Sequence, residues 1–363
     1  MKLCLVGDIA FFGQYCLEHN LQLKDNLKEL KSIFDDCDLI VGNLETPFSS
    51  DPKFHGSKSA YIHAQPLNVA ILKYLGVNAV SLSNNHIYDF GSPAITETKN
   101  ILEQNNIDWF GVDGRSFYTE TCGEKFAFHG FCSFNTNPSY LKKGDIFGAS
   151  GLNFLKHSDV LSMLKSDKDS ERLSVLSIHS GLENLTVPSL EDINFAKKLA
   201  ANYNYIYHGH HPHVLQGVEK EKDSLLAYSL GNFCFDDIYD YRTKEILVSQ
   251  SQRNKTSALL IIEVENSRIS SYDIIPFSFD NGNFEINSKY ALSIVKEVNN
   301  NLDMSHDEIC KLRDSELSEV VKKRKKTRNL KWFISRFRIS TITRLANNYY
   351  NKKMHVRYFS KFI

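Results

Sequence analysis

The 363-residue chain has no CxxC pair: its seven cysteines (Cys4, Cys16, Cys37, Cys122, Cys132, Cys234 and Cys310) are odd in number and widely scattered. That speaks against a thiolate zinc site and against a disulfide framework. No stretch approaches the run of about 20 apolar residues that spans a bilayer. The opening MKLCLVGDIAFFG has one Lys before a short apolar run and no small-residue cleavage site, so it reads as a core strand rather than an export signal. A cytoplasmic protein is the resulting expectation. Repeats and Pro-rich or Gly-rich linkers are also missing, which favours one principal domain with an appendage. Acidic residues are absent from Lys322 to the C-terminus, where 14 Lys and Arg stand, leaving 29 basic against 43 acidic residues in positions 1–321. Such asymmetry suits a tail that meets something anionic: the body itself, a membrane surface or a nucleic acid. Nucleic acid is not expected, because no recognisable module accompanies the charge.

What is present alternates. KLCLVGD (2–8), DLIVGNLE (38–45), VNAVSLSNNH (77–86), RLSVLSIHSG (172–181) and YNYIYHGHH (203–211) each open on an apolar run and close on polar residues. Runs of that kind suit strands buried on both faces. Between them LNVAILKYLG (67–76), SPAITETKNILEQNN (92–106) and SLEDINFAKKLAANY (189–203) read as helices, with Ser92–Pro93 and Ser189 as starts. The alternation predicts an α/β core. Beyond 213 the pattern turns to strands joined by turns, with a hairpin at 265–267, and 289–320 reads as helical, Leu292, Ile294, Val295 and Val298 forming one apolar stretch. The expected division is a body, 1–280, and a helical, basic C-terminal extension, 281–363.

The candidate site residues all fall at strand ends, where the loops of an α/β sheet form the ligand crevice. Asp8 follows the first strand, Asn43 and Glu45 the second, Asn85 and His86 the third; His179 closes a later one, and His211 and His213 the last. Carboxylate, amide oxygen and imidazole together suit manganese, iron or zinc better than calcium. The run YHGHHPH holds four of the 13 histidines. On an extended backbone His211 and His213 share a face, and Pro212 restricts His211 to extended conformations. His210 has the wrong parity and His208 lies before the glycine turn, so both are expected at the substrate edge, at solvent or against neighbouring loops.

GD (7–8), NLE (43–45), SNNHIYDFG (83–91), IHSGLE (178–183), GHHPHVLQG (209–217) and YSLGNFCFD (228–236) resemble successive blocks of the bacterial capsule-synthesis CapA family, also called the poly-γ-glutamate capsule (PGA_cap) family. That family is similar in fold to the calcineurin-like metallophosphatases, which implies a four-layer αββα sandwich and a metal-dependent hydrolase of phosphoester type in capsule, exopolysaccharide or polyglutamate biosynthesis. The resemblance implies two divalent ions. Asp8 and His213 would serve the first, Glu45 would bridge, and Asn85, His179 and His211 would complete the second. His86 would act as the catalytic acid or charge stabiliser, oriented by Asp89; Asn43, Glu183 and Asn232 would contact a phosphorylated or anionic envelope-polymer substrate. Two features depart from the pattern: Asp8, Ile9 and Ala10 replace the usual Asp-x-His of metallophosphatases, and Ser180 replaces an aromatic. The alternative expectation is a non-catalytic, metal-binding assembly or polymer-binding protein of capsule production. From Leu330 to Leu345, Trp332, Phe333 and Phe337 interleave with Lys331, Arg336, Arg338 and Arg344, which suits peripheral contact with an anionic membrane at its inner face, or a helix lying on the acidic body.

Overall fold

The computed structural model describes residues 1–54, 60–136, 151–240, 244–280 and 283–327, with isolated positions beyond. Two sheets form its centre. In the first, the parallel strands β1 (Lys2–Ile9), β2 (Leu39–Leu44), β3 (Ala79–Ser81) and β4 (Asp108–Phe110) lie side by side. The second contains β5 (Phe117–Thr121), β6 (Glu124–Cys132), β7 (Leu173–His179), β8 (Tyr205–His210), β9 (Val218–Glu221) and β10 (Ser224–Ala227), in the order β5-β6-β7-β8-β10-β9. The short β11 (Asn232–Phe233) returns to pair with β1, and β12 (Ile238–Tyr239) pairs with β13 (Ile246–Val248). The hairpin β14 (Thr256–Glu265) and β15 (Arg268–Asp280), followed by β16 (Asn283–Ile286), extends the first sheet antiparallel to β1. Its turn places Asn266 and Ser267 at φ 54° and 55°, the left-handed pair that a two-residue hairpin demands.

Strand alternation builds the layers. Leu3, Leu5, Leu39 and Val41 from one sheet meet Phe126, Phe128, Leu173, Val175 and Ile206 from the other, all buried. The intervening residues point outward to helices. Cys4, Val6 and Ile40 pack under α1 (Leu23–Asn26), α2 (Lys28–Asp35), α3 (Val69–Leu75) and α4 (Gly91–Gln104). Leu176, Ile178, Tyr205 and Tyr207 pack under α5 (His157–Asp169) and α6 (Leu190–Ala200). The molecule is thus an αββα sandwich. Ser189 caps α6 by accepting from the Asp192 amide, as its sequence suggests; α4 starts one residue before the expected Ser92.

Two further helices, α7 (Lys289–Asn301) and α8 (His306–Thr327), join this body directly. Ile294 and Val298 of α7 bury against Leu215 and Ala258, whereas Leu292 is exposed. Ile309 of α8 joins the outer core beneath α6. Apart from Ile342, the aromatic and basic segment 330–345 lies outside the described residues. No helix among the described residues is long and apolar enough to cross a membrane.

Candidate metal centre

Parallel register aligns the strand ends on one edge. Asp8 stands beside Asn43 of β2 and Asn232 of β11, and His179 beside Cys132 of β6 and His210 of β8. Between Leu5 and Asp8 the β1–β2 pairing slips by one residue. This bulge re-aims the Asp8 carboxylate towards the crevice, as bulges beside functional sites do. Glu45 is drawn in by its amide, which donates to the Ile9 carbonyl at 2.8 Å.

Two sets of donor atoms converge there, sharing Glu45: Glu45, His179 and His211 in one, Asp8, Glu45 and His213 in the other. In the first, His179 Nε2 lies 3.0 Å from Asn85 Oδ1, 3.1 Å from His211 Nδ1 and 3.2 Å from Glu45 Oε1. In the second, His213 Nδ1 lies 2.9 Å from Asn232 Oδ1, 3.6 Å from Asp8 Oδ2 and 3.8 Å from Glu45 Oε2. Ligands about 2.0–2.2 Å from a common ion stand about 3.0–3.6 Å from one another, so the first set's spacing fits coordination, and the second, at 2.9–3.8 Å, brackets that range. The chemistry of the donors fits too. Burial, then the neighbouring His211, hold His179 well below its usual pKa, and burial lowers His211 to about 3. Neutral imidazoles are the ligating form. His179 Nε2 carries at most one proton, yet two oxygens, Asn85 Oδ1 and Glu45 Oε1, and the His211 Nδ1 nitrogen crowd it within 3.2 Å; a cation resolves that arrangement. Burial would push the Asp8 carboxyl up, but His210, His213 and His179 pull it below its usual range.

The supporting contacts are specific. Asn85 Nδ2 donates to the Thr136 carbonyl at 3.1 Å, which turns Oδ1 inward. Asn43, expected to touch substrate, is wholly buried, and its Nδ2 donates to Asp8 Oδ1 at 2.8 Å. Asn232, also expected to touch substrate, faces His213 and donates to the Asn254 carbonyl at 3.1 Å. His86 Nδ1 pairs with Asp89 Oδ2 at 2.7 Å, and the same oxygen accepts from the Ile62 amide at 3.0 Å. Glu183 stands apart from the donor sets, paired with Arg324 at 2.9 Å. Ser180, at the position of the family's aromatic, donates to Asp192 at 2.9 Å.

Three expectations need correction. His211 is not extended: its φ is 96°, and His213 follows at 57°. β8 ends at His210, and the His211 amide donates to Asp8 Oδ2 at 3.0 Å, so a strained turn rather than strand alternation aims the two rings at different donor sets. His208 is fully buried and shares a 2.9 Å hydrogen bond with the Val6 carbonyl across the sheets, away from any substrate edge. His210 is no bystander. It is buried, with Nδ1 3.0 Å from Asp8 Oδ1 but off hydrogen-bond alignment.

Sequence reasoning misses Asn84. It donates to the Leu44 carbonyl at 2.8 Å and to Asn43 Oδ1 at 3.2 Å, and accepts from the His86 and Ile87 amides at 3.1 and 2.9 Å. The doubled Asn before His86 is the available signal. Asn84→Ala is expected to cost about 1–3 kcal/mol, the penalty for stranding buried polar partners, measured as a lower urea midpoint. An unchanged midpoint would show that the loop holds itself.

The sequence model of the family described as bacterial capsule synthesis protein PGA_cap matches residues 2–237. The chain is 25% identical over 306 residues to a capsule biosynthesis protein CapA of Bacillus anthracis, covering 78% of this chain and 68% of that one. It is 24% identical over 283 residues to the PGA biosynthesis protein CapA of Bacillus subtilis (strain 168), covering 75% and 70%. Among solved structures, a hypothetical protein from Thermus thermophilus aligns over 77% of this chain and 100% of its own, with 15% identity and a TM-score of 0.47. With its αββα body and the six motif blocks within the matched span, the chain belongs to the bacterial capsule synthesis (PGA_cap) family.

Proposed function

We propose that this protein is a metal-dependent hydrolase of phosphoester type, acting on a phosphorylated or anionic polymer precursor in capsule, exopolysaccharide or polyglutamate production. One observation carries the reading: the two carboxylate oxygens of buried Glu45 face different donor sets, Oε1 towards His179 and Oε2 towards His213. That is how a carboxylate bridges two ions. Asp8, His213 and the Asn232 amide oxygen would hold the first with Glu45; Asn85, His179 and His211 would hold the second. Manganese, iron or zinc suits such nitrogen and oxygen donors. When bound, a pair of divalent ions supplies an activated water and neutralises charge on a phosphoryl oxygen.

The chain's own groups would do the rest. Asp89 fixes the His86 ring through Nδ1, which leaves Nε2 as the nitrogen that gives or takes a proton at the leaving oxygen. Asn43 Nδ2 and the His211 amide hold the Asp8 carboxylate in place, as outer partners of metal ligands do. The tail beyond 321 would dock the protein at the inner face of an anionic membrane, and the catalytic body would end near 280, with the later helices as its brace.

The test is metal analysis of the purified chain together with turnover of p-nitrophenyl phosphate and its bis ester. Two ions per chain are expected, with turnover lost on chelation and restored by manganese. His86→Ala should lower kcat by about 10²–10⁴-fold without changing metal content. The second reading, a non-catalytic metal-binding assembly protein, draws on buried Ala10, which offers no ligand two residues after Asp8. Bound metal without turnover of either ester would favour it. Docking predicts that removing residues after 321 abolishes sedimentation with anionic liposomes; sedimentation unchanged by that truncation would reject it.

A further inference from the structure

The long helix α8 opens with a capping box: Ser305 Oγ receives the Glu308 amide at 3.4 Å, and Glu308 accepts from the Ser305 amide at 2.9 Å. Its inner stripe then runs along the 182–188 loop. Arg313 donates to the Val187 carbonyl, and Glu316 accepts from Thr186 N at 2.9 Å and Thr186 Oγ1 at 2.5 Å. Three turns after Arg313, Arg324 comes round to the same side and pairs with Glu183 at 2.9 Å. The loop is tied in turn to the histidine turn: the Asn184 amide donates to the Pro212 carbonyl at 2.8 Å. Arg324 is thus held at a defined place relative to His211 and His213 rather than swinging free. Partial burial raises the Glu183 pKa, but His211, His213, Arg324 and His86 bring it below the usual value.

A helix dipole accounts for one cation in a last turn. It does not account for five in succession, Lys322 to Lys326, nor for Arg324 reaching across to Glu183 on the 182–188 loop. Both members of the pair remain open to water, 51% exposed for Arg324 and 38% for Glu183. An incoming anion can reach them. We infer that Arg324 is an anion-binding residue at the rim of the metal centre, holding a second negatively charged group of a ligand whose first group sits at the centre, with Glu183 occupying that position beforehand. The inference deepens the proposed function and rests on it: the ligand becomes an oligoanion, charged at successive units, rather than a lone phosphate.

Two non-hydrolysable probes separate the ideas. Hexylphosphonate carries one charged group; hexane-1,6-bisphosphonate carries two. Their affinities for the manganese-loaded full chain can be measured by calorimetry. In the wild type the bisphosphonate is expected to bind about tenfold tighter. Arg324→Gln should bring that ratio to about two, the statistical value for two equivalent ends, a fall of about fivefold that suits one partly exposed charge-assisted bond. Arg324→Lys should keep part of the advantage. Glu183→Gln should raise the ratio, because the competitor for Arg324 is gone; a pair that merely latched the loop would make Glu183→Gln behave like Arg324→Gln. A ratio unmoved by Arg324→Gln, or lowered by Glu183→Gln, overturns the inference. Failure of hexylphosphonate to bind at all would instead count against the proposed centre, while Arg324-dependent bisphosphonate binding would keep the rim site; if neither probe binds, both ideas fall.

Discussion

Glu45→Gln is expected to remove both ions at once. An amide oxygen is neutral, and its nitrogen carries protons, so one side of the bridge would meet a donor where it needs a lone pair. Each ion would also lose the shared negative charge that balances it. Loss of an outer partner alone typically costs about 10–100-fold in metal affinity, and a direct ligand shared by two ions should cost more at both. By contrast, His211→Ala should weaken the ion held with His179, and His213→Ala the ion held with Asp8. Stability gives a second readout. Saturation at about 100 times the dissociation constant adds about 2.7 kcal/mol per ion to the wild type, seen as a rise in Tm on adding manganese; Glu45→Gln should show no rise. In the metal-free protein the sign reverses. Asp8 and Glu45 are both fully buried and share one centre, and a neutral amide spares the desolvation that a buried carboxylate pays. Metal-free Glu45→Gln should therefore be at least as stable as the metal-free wild type. Retention of one ion at wild-type affinity would sink the bridging role, and a less stable metal-free variant would sink the account of the charges.

The parts of this molecule legible in the sequence are those governed by local pattern. Strands buried on both faces leave apolar runs, and β1, β2, β3, β7 and β8 all lie where such runs end in Asp, Asn, Glu or His. The hairpin at 265–267 and the Ser189 cap follow from turn and cap chemistry that needs no distant partner. What was not legible depends on tertiary contact. The slip in β1 between Leu5 and Asp8 lies where β11 returns from more than 220 residues away to pair with Asp8, a contact no local pattern announces. The aim of His211 and His213 comes from left-handed backbone that the following Pro212 argues against, held by the His211 amide on Asp8. His210 looks idle by parity, but parity counts only while the strand continues, and β8 ends there. In the sequence Arg324 is one charge in a basic run; only the crossing of α8 over the loop that carries Glu183 distinguishes it.

Gly209→Ala should be among the most damaging single-methyl additions in the body. A Cβ there would lie 1.9 Å from the Tyr228 carbonyl oxygen and 2.6 Å from its carbon, both backbone atoms with no rotamer to escape into. At Gly7 the Cβ would meet the Gly231 carbonyl oxygen at 2.0 Å. The two glycines belong to β8 and β1, in different sheets, yet both press on one segment, 227–231. That segment leads into β11, where Asn232 pairs with Asp8 and faces His213. Overpacking a core with side chains typically costs about 1–3 kcal/mol, occasionally more; against backbone on which a strand pairing depends, about 3 kcal/mol or more is expected for either substitution. Gly114→Ala is the comparison. Its Cβ would meet nothing within 4 Å, and only its φ of 70° opposes a side chain, so about 1 kcal/mol should suffice. Urea midpoints would rank the three. The metal readout is more selective: displacing 227–231 shifts Asn232, which belongs with Asp8 and His213, and leaves His179, Asn85 and His211 on other segments. Where Gly7→Ala protein still folds, manganese affinity should drop at the first ion before the second, whereas Gly209 stands two residues before His211 and its substitution should weaken both. Equal loss at both ions in Gly7→Ala would mean that this glycine serves the sandwich as a whole rather than the seating of Asn232.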